Sequence, residues 1–411
     1  MLFITTWFLL FFTFFGCVYL LFGYTHFIRL TIILLTSILF YVYFGGLFGT
    51  FVITTLGLYT YLIAFVINRF LTNEKLSKIL VLLSLSPITF SLGYFKYADF
   101  FKSNFYSILD SLGLEKVAAH SVVINGSTKV IAILGISFFT FEFTHYLVEI
   151  FRGAEPLKNP LYFSVFVFYF PRLASGPIVR VGEIIPQLKT LKKPTMLDFS
   201  YGLSRVFVGF GKKFVLADQA AAILASTFQA SNVLVGTDVL MLIVLLYIRI
   251  YFDFSAYSDI AIGISRMYGI RLPENFAKPF LATSLIGFWR RWHISLSTWI
   301  RDYVYIPLGG SRYSRKRKFA NLLIAMTLCG LWHGPAWNFC LWGLLHGVAL
   351  VLNHLYSDRK SFIFPKIQGL VVVRTGFSWI TTQFFVGLAW IPFFYPLKET
   401  LAILAKLGVW L

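Results

Sequence analysis

"LTIILLTSILFYVYFGGLFGTFVITTLGLYTYLIAFVI", Leu30 to Ile67, runs for 38 residues without a charged side chain. A helix needs about 20 apolar residues to cross the hydrocarbon of a bilayer, so the stretch reads as two spans, Leu30–Gly49 and Phe51–Ile67. Similar runs recur at Leu2–Leu21, Ile79–Phe95, Val130–Ile150, Leu161–Tyr169, Ser204–Phe228, Val235–Tyr251, Leu322–Leu331, Cys340–Leu355 and Gly369–Tyr395. Hydrophobic residues make up 58% of the 411 and charged ones 13%, which excludes a soluble surface. The sequence predicts an all-α polytopic membrane protein with roughly ten to twelve transmembrane or re-entrant helices.

The first run has no basic flank and no small-residue cleavage site, so it reads as a retained helix rather than a signal peptide. Cys17, Cys329 and Cys340 lie in apolar surroundings without metal-ligand spacing and read as small hydrophobes. A net charge of +19 raises the question of nucleic acid, but the charges fall in loops between spans, where positive-inside bias explains them. Arg69, Lys75 and Lys78 follow the third span, and Arg152 and Lys158 the fifth, so both loops are expected in the cytoplasm and the N-terminus outside. The stretch from Lys96 to Lys129 mixes acids with lysines and reads as an outward loop, and its "NGS" at Asn125 carries no weight as a sequon.

No linker, low-complexity block or fixed-period repeat divides the chain, so residues 1–411 read as a single membrane domain. Residues 266–318 nevertheless stand apart. They hold 11 of the 36 Lys and Arg residues against two acids, Glu274 and Asp302, and end in "SRYSRKRK", Ser311–Lys318. A cluster of that kind suits a cytoplasmic face in contact with anionic lipid. Within it, "FWRRWHISLSTWIRDYVYIPLGG", Phe288–Gly310, interleaves tryptophans with Arg290, Arg291 and Arg301, the pattern of a helix lying in the membrane interface. Six of the ten tryptophans fall between Trp289 and Trp342, which points to an aromatic belt or cavity.

Of seven histidines, His26, His120 and His354 fall near loops or span ends. His145 follows Glu142 by three residues on one predicted helix, a spacing that suits a hydrogen-bonded structural pair. His293 and His333 differ, being embedded among Trp, Gly and small residues in apolar sequence. Unpaired polar groups in the membrane are costly, so their presence argues for use. Burial disfavours the imidazolium, and a neutral imidazole accepts a proton. No HExxH, HxxxH or CxxC spacing supports a metal, and no GxSxG, Walker loop or GxGxxG is present. A proton-coupled transporter using Glu142, Asp253, Asp259 and His333 is the non-enzymatic alternative, although no two matched halves are visible.

Six phrases then fall into one order: "LGYFKYADFF" (Leu92–Phe101), "GISFFTFEFTHYLVEIFRG" (Gly135–Gly153), "FPRLASGPIVR" (Phe170–Arg180), "YFDFSAYSDIAIGISRMYGIRLPENFAKPF" (Tyr251–Phe280), the Phe288–Gly310 segment, and "GLWHGPAWNFCLWGLLHG" (Gly330–Gly347). Together they resemble the membrane-bound O-acyltransferase family, in particular its bacterial alginate O-acetyltransferase branch. The resemblance covers a core at 92–350, between N-terminal helices at 1–91 and C-terminal helices at 351–411. It implies a helical bundle around a central tunnel, multi-pass in the bacterial inner membrane, with His333 and His293 as the catalytic histidines. It also implies O-acetylation of an exported envelope glycan such as alginate or peptidoglycan, with acetyl-CoA or a carrier thioester as donor and a periplasmic or surface acetyltransferase as partner. D-alanyl transfer toward teichoic acids is the rival within the family. Trp332 and Asn338 are candidate helpers at the acyl group, while Arg290, Arg291 and Arg301 are candidates for donor phosphates or for snorkelling at the interface. Asp253, Asp259, Asn275 and Asp302 are expected to serve packing or hydrogen bonding, and Gly309, Gly310, Gly330 and Gly334 close backbone approach.

Overall fold

A computed structural model describes residues 3, 5–113, 131–173, 175–228, 235–363 and 370–409. Every regular element among them is a helix, and five helices are long and apolar enough to cross a membrane. Asn125 and His120 lie outside the described residues.

The opening stretch forms α2 (His26–Arg69), preceded by α1 (Thr6–Phe22). Each begins where a threonine hydroxyl accepts an orphan amide proton, Thr5 from Phe8 N and Thr25 from Ile28 N. At 1.5 Å per residue α2 would be about 66 Å long, twice the hydrocarbon thickness. Gly46, at φ 73°, breaks it into two legs, as only glycine does without strain. The two expected spans are these legs. Trp7 of α1 stacks flat on Tyr43 with ring centroids 3.7 Å apart.

α3 (Glu74–Leu92) runs through a π-helical turn, Gly93–Tyr97, into α4 (Ala98–Ser111). This corrects the expected outward loop from Lys96, which is helical as far as Ser111. The polar residues that mimic a loop share a helix with Phe101, Phe105 and Ile108, which stand exposed.

α5 (Ile136–Phe151) divides the interior. Phe139 and Phe143 join one apolar core with α1, α2, α6 (Pro160–Phe168) and α7 (Val181–Lys189), whereas Phe141 joins a second core. Glu142 on α5 ion-pairs with the fully buried Arg172 from the short turn after α6. His145 instead accepts the Val181 N–H at 3.0 Å, so the expected Glu142–His145 pair does not form. Arg172 comes from a turn ahead of α7, a contact that spacing on one helix does not foretell.

α8 (Met196–Gly211), a π-helical turn (Lys212–Ala217) and α9 (Asp218–Ser226) pack along α10 (Gly236–Met267). A Cβ on Gly202 or Gly263 would lie 2.5 Å from the other's carbonyl oxygen, so the absence of side chains lets α8 and α10 touch backbone to backbone. Charges on this face are paired along its length. Arg266 meets Asp198 at 2.7 Å, Arg205 and Lys212 share Asp259 at 2.5 and 2.6 Å, and Lys213 bridges Asp253 and Asp218, each at 2.7 Å. Asp253 and Asp259 therefore hold helices together, as expected of them.

The second core is built on α10 by two short helices, α11 (Leu285–Trp289) and α12 (Ile294–Ile300), and by α13 (Arg315–His333), α14 (Trp337–Ile363), α15 (Leu370–Phe394) and α16 (Leu397–Ala405). α13 and α14 form a tight hairpin. A Cβ on Gly330 would strike the Phe339 carbonyl and one on Gly343 the Met326 carbonyl, so these glycines set the helix spacing.

Candidate active site

His293 and His333 line one cavity of about 710 Å³ between the two cores, together with Lys96, Ser137, Phe254, Lys213 and Asp253. Trp292, Trp332, Trp342, Trp390 and Phe393 form its aromatic wall, which locates the expected cluster of tryptophans.

His333 is the last residue of α13, so the rigid hairpin with α14 carries it. At the next position a Cβ on Gly334 would strike the Phe339 ring, and glycine lets that ring close over the turn. The imidazole is flanked by the rings of Trp332, Trp342 and Phe393, with centroids 5.0, 5.2 and 5.0 Å away. It makes no hydrogen bond among the described residues, which leaves its nitrogens to a ligand in the cavity.

His293 sits between α11 and α12 at φ 42°, in the left-handed region that residues with a Cβ rarely adopt. Such strain persists only where the surroundings impose it, and here Asn275 does so. The Asn275 carbonyl accepts the Ile294 N–H at 2.9 Å and its side-chain oxygen accepts the Ser295 hydroxyl at 2.6 Å. Ser295 in turn accepts the Ile178 N–H at 3.0 Å, tying the turn to the strap before α7. The His293 ring packs edge-on against Phe254 at 4.5 Å, and its buried Nε2 has no partner among the described residues. Asn275 is fully buried, and the hydrogen-bonding role expected from sequence is the one it takes.

The remaining expected site residues divide. Trp332 joins the two histidines, its ring 6.1 Å from that of His293, and its indole N–H has no partner among the described residues. Asn338 does not line the cavity, because its amide donates to the Pro392 carbonyl at 2.9 Å and ties α14 to α15. Arg290 and Arg291 are exposed and also absent from the lining.

Arg301 belongs to a separate polar cluster, where it and Arg180 hold Asp302 at 2.6 and 2.5 Å. Burial alone pushes the Asp302 carboxyl up, but the hydrogen bonds and charges of Arg301 and Arg180 outweigh it and hold the group below its usual range. A row of rings connects this cluster to the cavity. Arg180 lies over Tyr303 at 5.6 Å, Tyr303 meets Trp299 at 5.1 Å, Trp299 stacks on Phe141 at 3.8 Å, and Phe141 stacks on Trp332 at 5.2 Å.

His346, the second histidine of the Gly330–Gly347 phrase, is sealed away from solvent. Its ring is boxed by Trp289, Trp342 and Phe385, and neither nitrogen has a partner among the described residues. Sequence reasoning passed over Lys96, the cavity lysine beside Trp332. The one signal for it was a lone cation inside the aromatic phrase "LGYFKYADFF".

A cavity that brings two histidines of apolar sequence together inside a helical bundle agrees with what the sequence phrases resemble. The model of the membrane-bound O-acyltransferase family matches residues 4–389. The chain belongs to the membrane-bound O-acyltransferase family. It is 37% identical over 303 residues to the probable alginate O-acetylase AlgI of Pseudomonas aeruginosa, covering 74% of this chain and 55% of that one. It is 33% identical over 392 residues to the peptidoglycan O-acetyltransferase of Helicobacter pylori, covering 88% and 70%. A teichoic acid D-alanyltransferase of Streptococcus thermophilus is 30% identical over 253 residues, covering 58% and 61%. The chain thus spans little more than half the length of the alginate relative.

Proposed function

We propose that this family member is a membrane-embedded O-acetyltransferase of the bacterial inner membrane. It takes acetyl from a cytoplasmic thioester, acetyl-CoA, for transfer to hydroxyls of an exported envelope polysaccharide such as alginate or peptidoglycan, with a periplasmic or surface acetyltransferase completing or extending the modification. The observation that carries the reading is the joint position of His293 and His333 in the lining of one cavity, inside a chain of this family. The acetyl reading is preferred to D-alanyl transfer because the O-acetylating relatives match at higher identity and over more of this chain.

In the reaction, the acyl carbonyl enters the cavity and the acceptor hydroxyl lies against His333. The neutral imidazole takes the hydroxyl proton as oxygen attacks the carbonyl carbon, and returns a proton to the departing thiolate. General-base catalysis of this kind contributes about 10²–10⁴-fold. His293, fixed by its strained turn, orients the acyl group, with the Trp332 indole N–H, which has no partner among the described residues, as a further donor. The aromatic wall excludes water that would hydrolyse the thioester.

Changing His333→Ala is expected to lower acetyl transfer by about 10²–10⁴-fold while the protein folds as wild type. The measurement is alkali-labile acetate on envelope glycans, together with labelled acetyl transfer in membrane vesicles. Wild-type activity in the variant would remove the assignment.

A further inference from the structure

Lys96 presents a cation to the cavity beside His333, and the described residues give it no anion. It stands on the π-helical turn Gly93–Tyr97, a widened turn of a kind often found at functional sites. Its ammonium donates to the Trp332 carbonyl, one peptide before His333, and to the Ser137 hydroxyl at 2.9 Å. An ammonium carries three protons. The third has no acceptor among the described residues.

The second lysine of the cavity wall makes the contrast. Lys213 is neutralised by Asp253 and Asp218, each at 2.7 Å. Lys96 has no carboxylate within salt-bridge distance among the described residues, and its ammonium lies only over the rings of Tyr97 and Trp332, at 5.5 and 5.7 Å. Removing a cation from water without a counter-charge is unfavourable. A site that keeps one is complementary to negative charge arriving with the substrate or forming during the reaction.

We propose that Lys96 is a further catalytic residue, whose third N–H binds the oxyanion of the tetrahedral intermediate. The inference rests on the acyl-transfer reading above. The acceptor oxygen loses its proton to His333 and bonds to the carbonyl carbon, and the carbonyl π pair moves onto oxygen, where the Lys96 ammonium meets it. As the carbonyl re-forms, the C–S bond breaks and the thiolate takes the proton from His333. The charge that develops is held at both steps by a group already in place, tethered by its other two protons.

The test uses inside-out vesicles from cells carrying each variant on the chromosome, supplied with radiolabelled acetyl-CoA, with incorporation normalised to the amount of folded protein. Lys96→Gln keeps amide donors for Trp332 and Ser137 but loses the charge, whereas Lys96→Met loses both. Both are expected to lower kcat by about 10²–10³-fold, the usual effect of deleting one oxyanion donor, with the KM for acetyl-CoA within about threefold of wild type. Lys96→Arg, which restores a cation, is expected to recover activity well above Lys96→Gln. If Lys96→Gln works within about threefold of wild type and only Lys96→Met fails, Lys96 is a tether and the proposal is overturned. A raised KM with unchanged kcat overturns it too, since the interaction would then be with the ground state. His333→Ala run alongside separates the two failures. An inactive His333→Ala with active Lys96→Gln removes the lysine's role alone, and an active His333→Ala removes the acyl-transfer reading beneath it.

Discussion

The strained backbone of His293 gives this residue a signature that its side chain alone would not. At φ 42° a β-branched residue is poorly accommodated, while asparagine tolerates the left-handed region. His293→Asn is therefore expected to keep the turn and the thermal midpoint within about 2 °C, yet to lose about 10²-fold or more in activity, the scale on which displaced or missing catalytic groups register. His293→Val removes the same imidazole but adds strain of order 1–3 kcal/mol, so it is expected to melt several degrees lower. Thermal unfolding in detergent and vesicle acetyl transfer, measured on both, separate chemistry from conformation; equal melting of the two variants would show that the turn is not strained. At this scale the sequence was legible where polarity conflicted with its surroundings. His293 and His333 were singled out because each is expensive in apolar sequence, and Asn275 because it falls in one of the family-like phrases. Lys96 was not, because a lysine beside Asp99 and Lys102 looks like the start of a loop, and only its contacts across to Trp332 and Ser137 distinguish it. Asn338 was misplaced for the opposite reason. Its neighbourhood in sequence is that of His333, but its helix face turns to Pro392.

Elements in this molecule are spaced by glycine, and the site inherits that spacing. His333 closes α13, and α13 lies against α14 as near as Gly330 and Gly343 allow. Gly330→Ala puts a methyl group into the Phe339 carbonyl, which a backbone cannot sidestep as a flexible side chain would. Overpacking of this kind costs about 1–3 kcal/mol, and the displaced hairpin moves His333 relative to Lys96 and His293. The expected result is a lower thermal midpoint together with a loss of activity larger than the stability change explains, because a shift of about 1 Å at a reacting group can cost 10²-fold. Gly16→Ala on α1, where nothing lies within 4 Å of the added methyl, is expected to be silent in both measurements. The sequence suggested close approach at Gly330 and Gly334, and both do face backbone or ring atoms. Hydropathy placed the helices well but not their boundaries. It divided α2 near Gly46, whereas α4 was read as a loop because its acids and lysines look like those of an outward loop when the helical face they share is not considered.

Across the whole molecule the basic loops gather at one end. Tyr61 donates to the Lys158 carbonyl, Arg152 to that of Asp302, and His26 meets that of Leu188 beside Lys189, so loops far apart in sequence meet, and the Asp302 turn packs against α13, which begins with the Arg315–Lys318 cluster. By positive-inside bias that end is expected in the cytoplasm. α13 starts there and carries His333 at its far end, about 28 Å along the helix at 1.5 Å per residue. On the proposed reading a cytoplasmic donor has to reach His333 from the far end of α13. The orientation is testable without any activity. In a background lacking Cys17, Cys329 and Cys340, single changes Lys75→Cys and Arg317→Cys are expected to react with a membrane-impermeant maleimide in inside-out vesicles only. Leu112→Cys, exposed at the other end of the helix that starts at Glu74, is expected to react from the outside only. The reverse labelling pattern would turn the molecule over, put the exposed arginines and the Asp302 cluster outside the cell, and leave a cytoplasmic thioester facing the wrong end of α13.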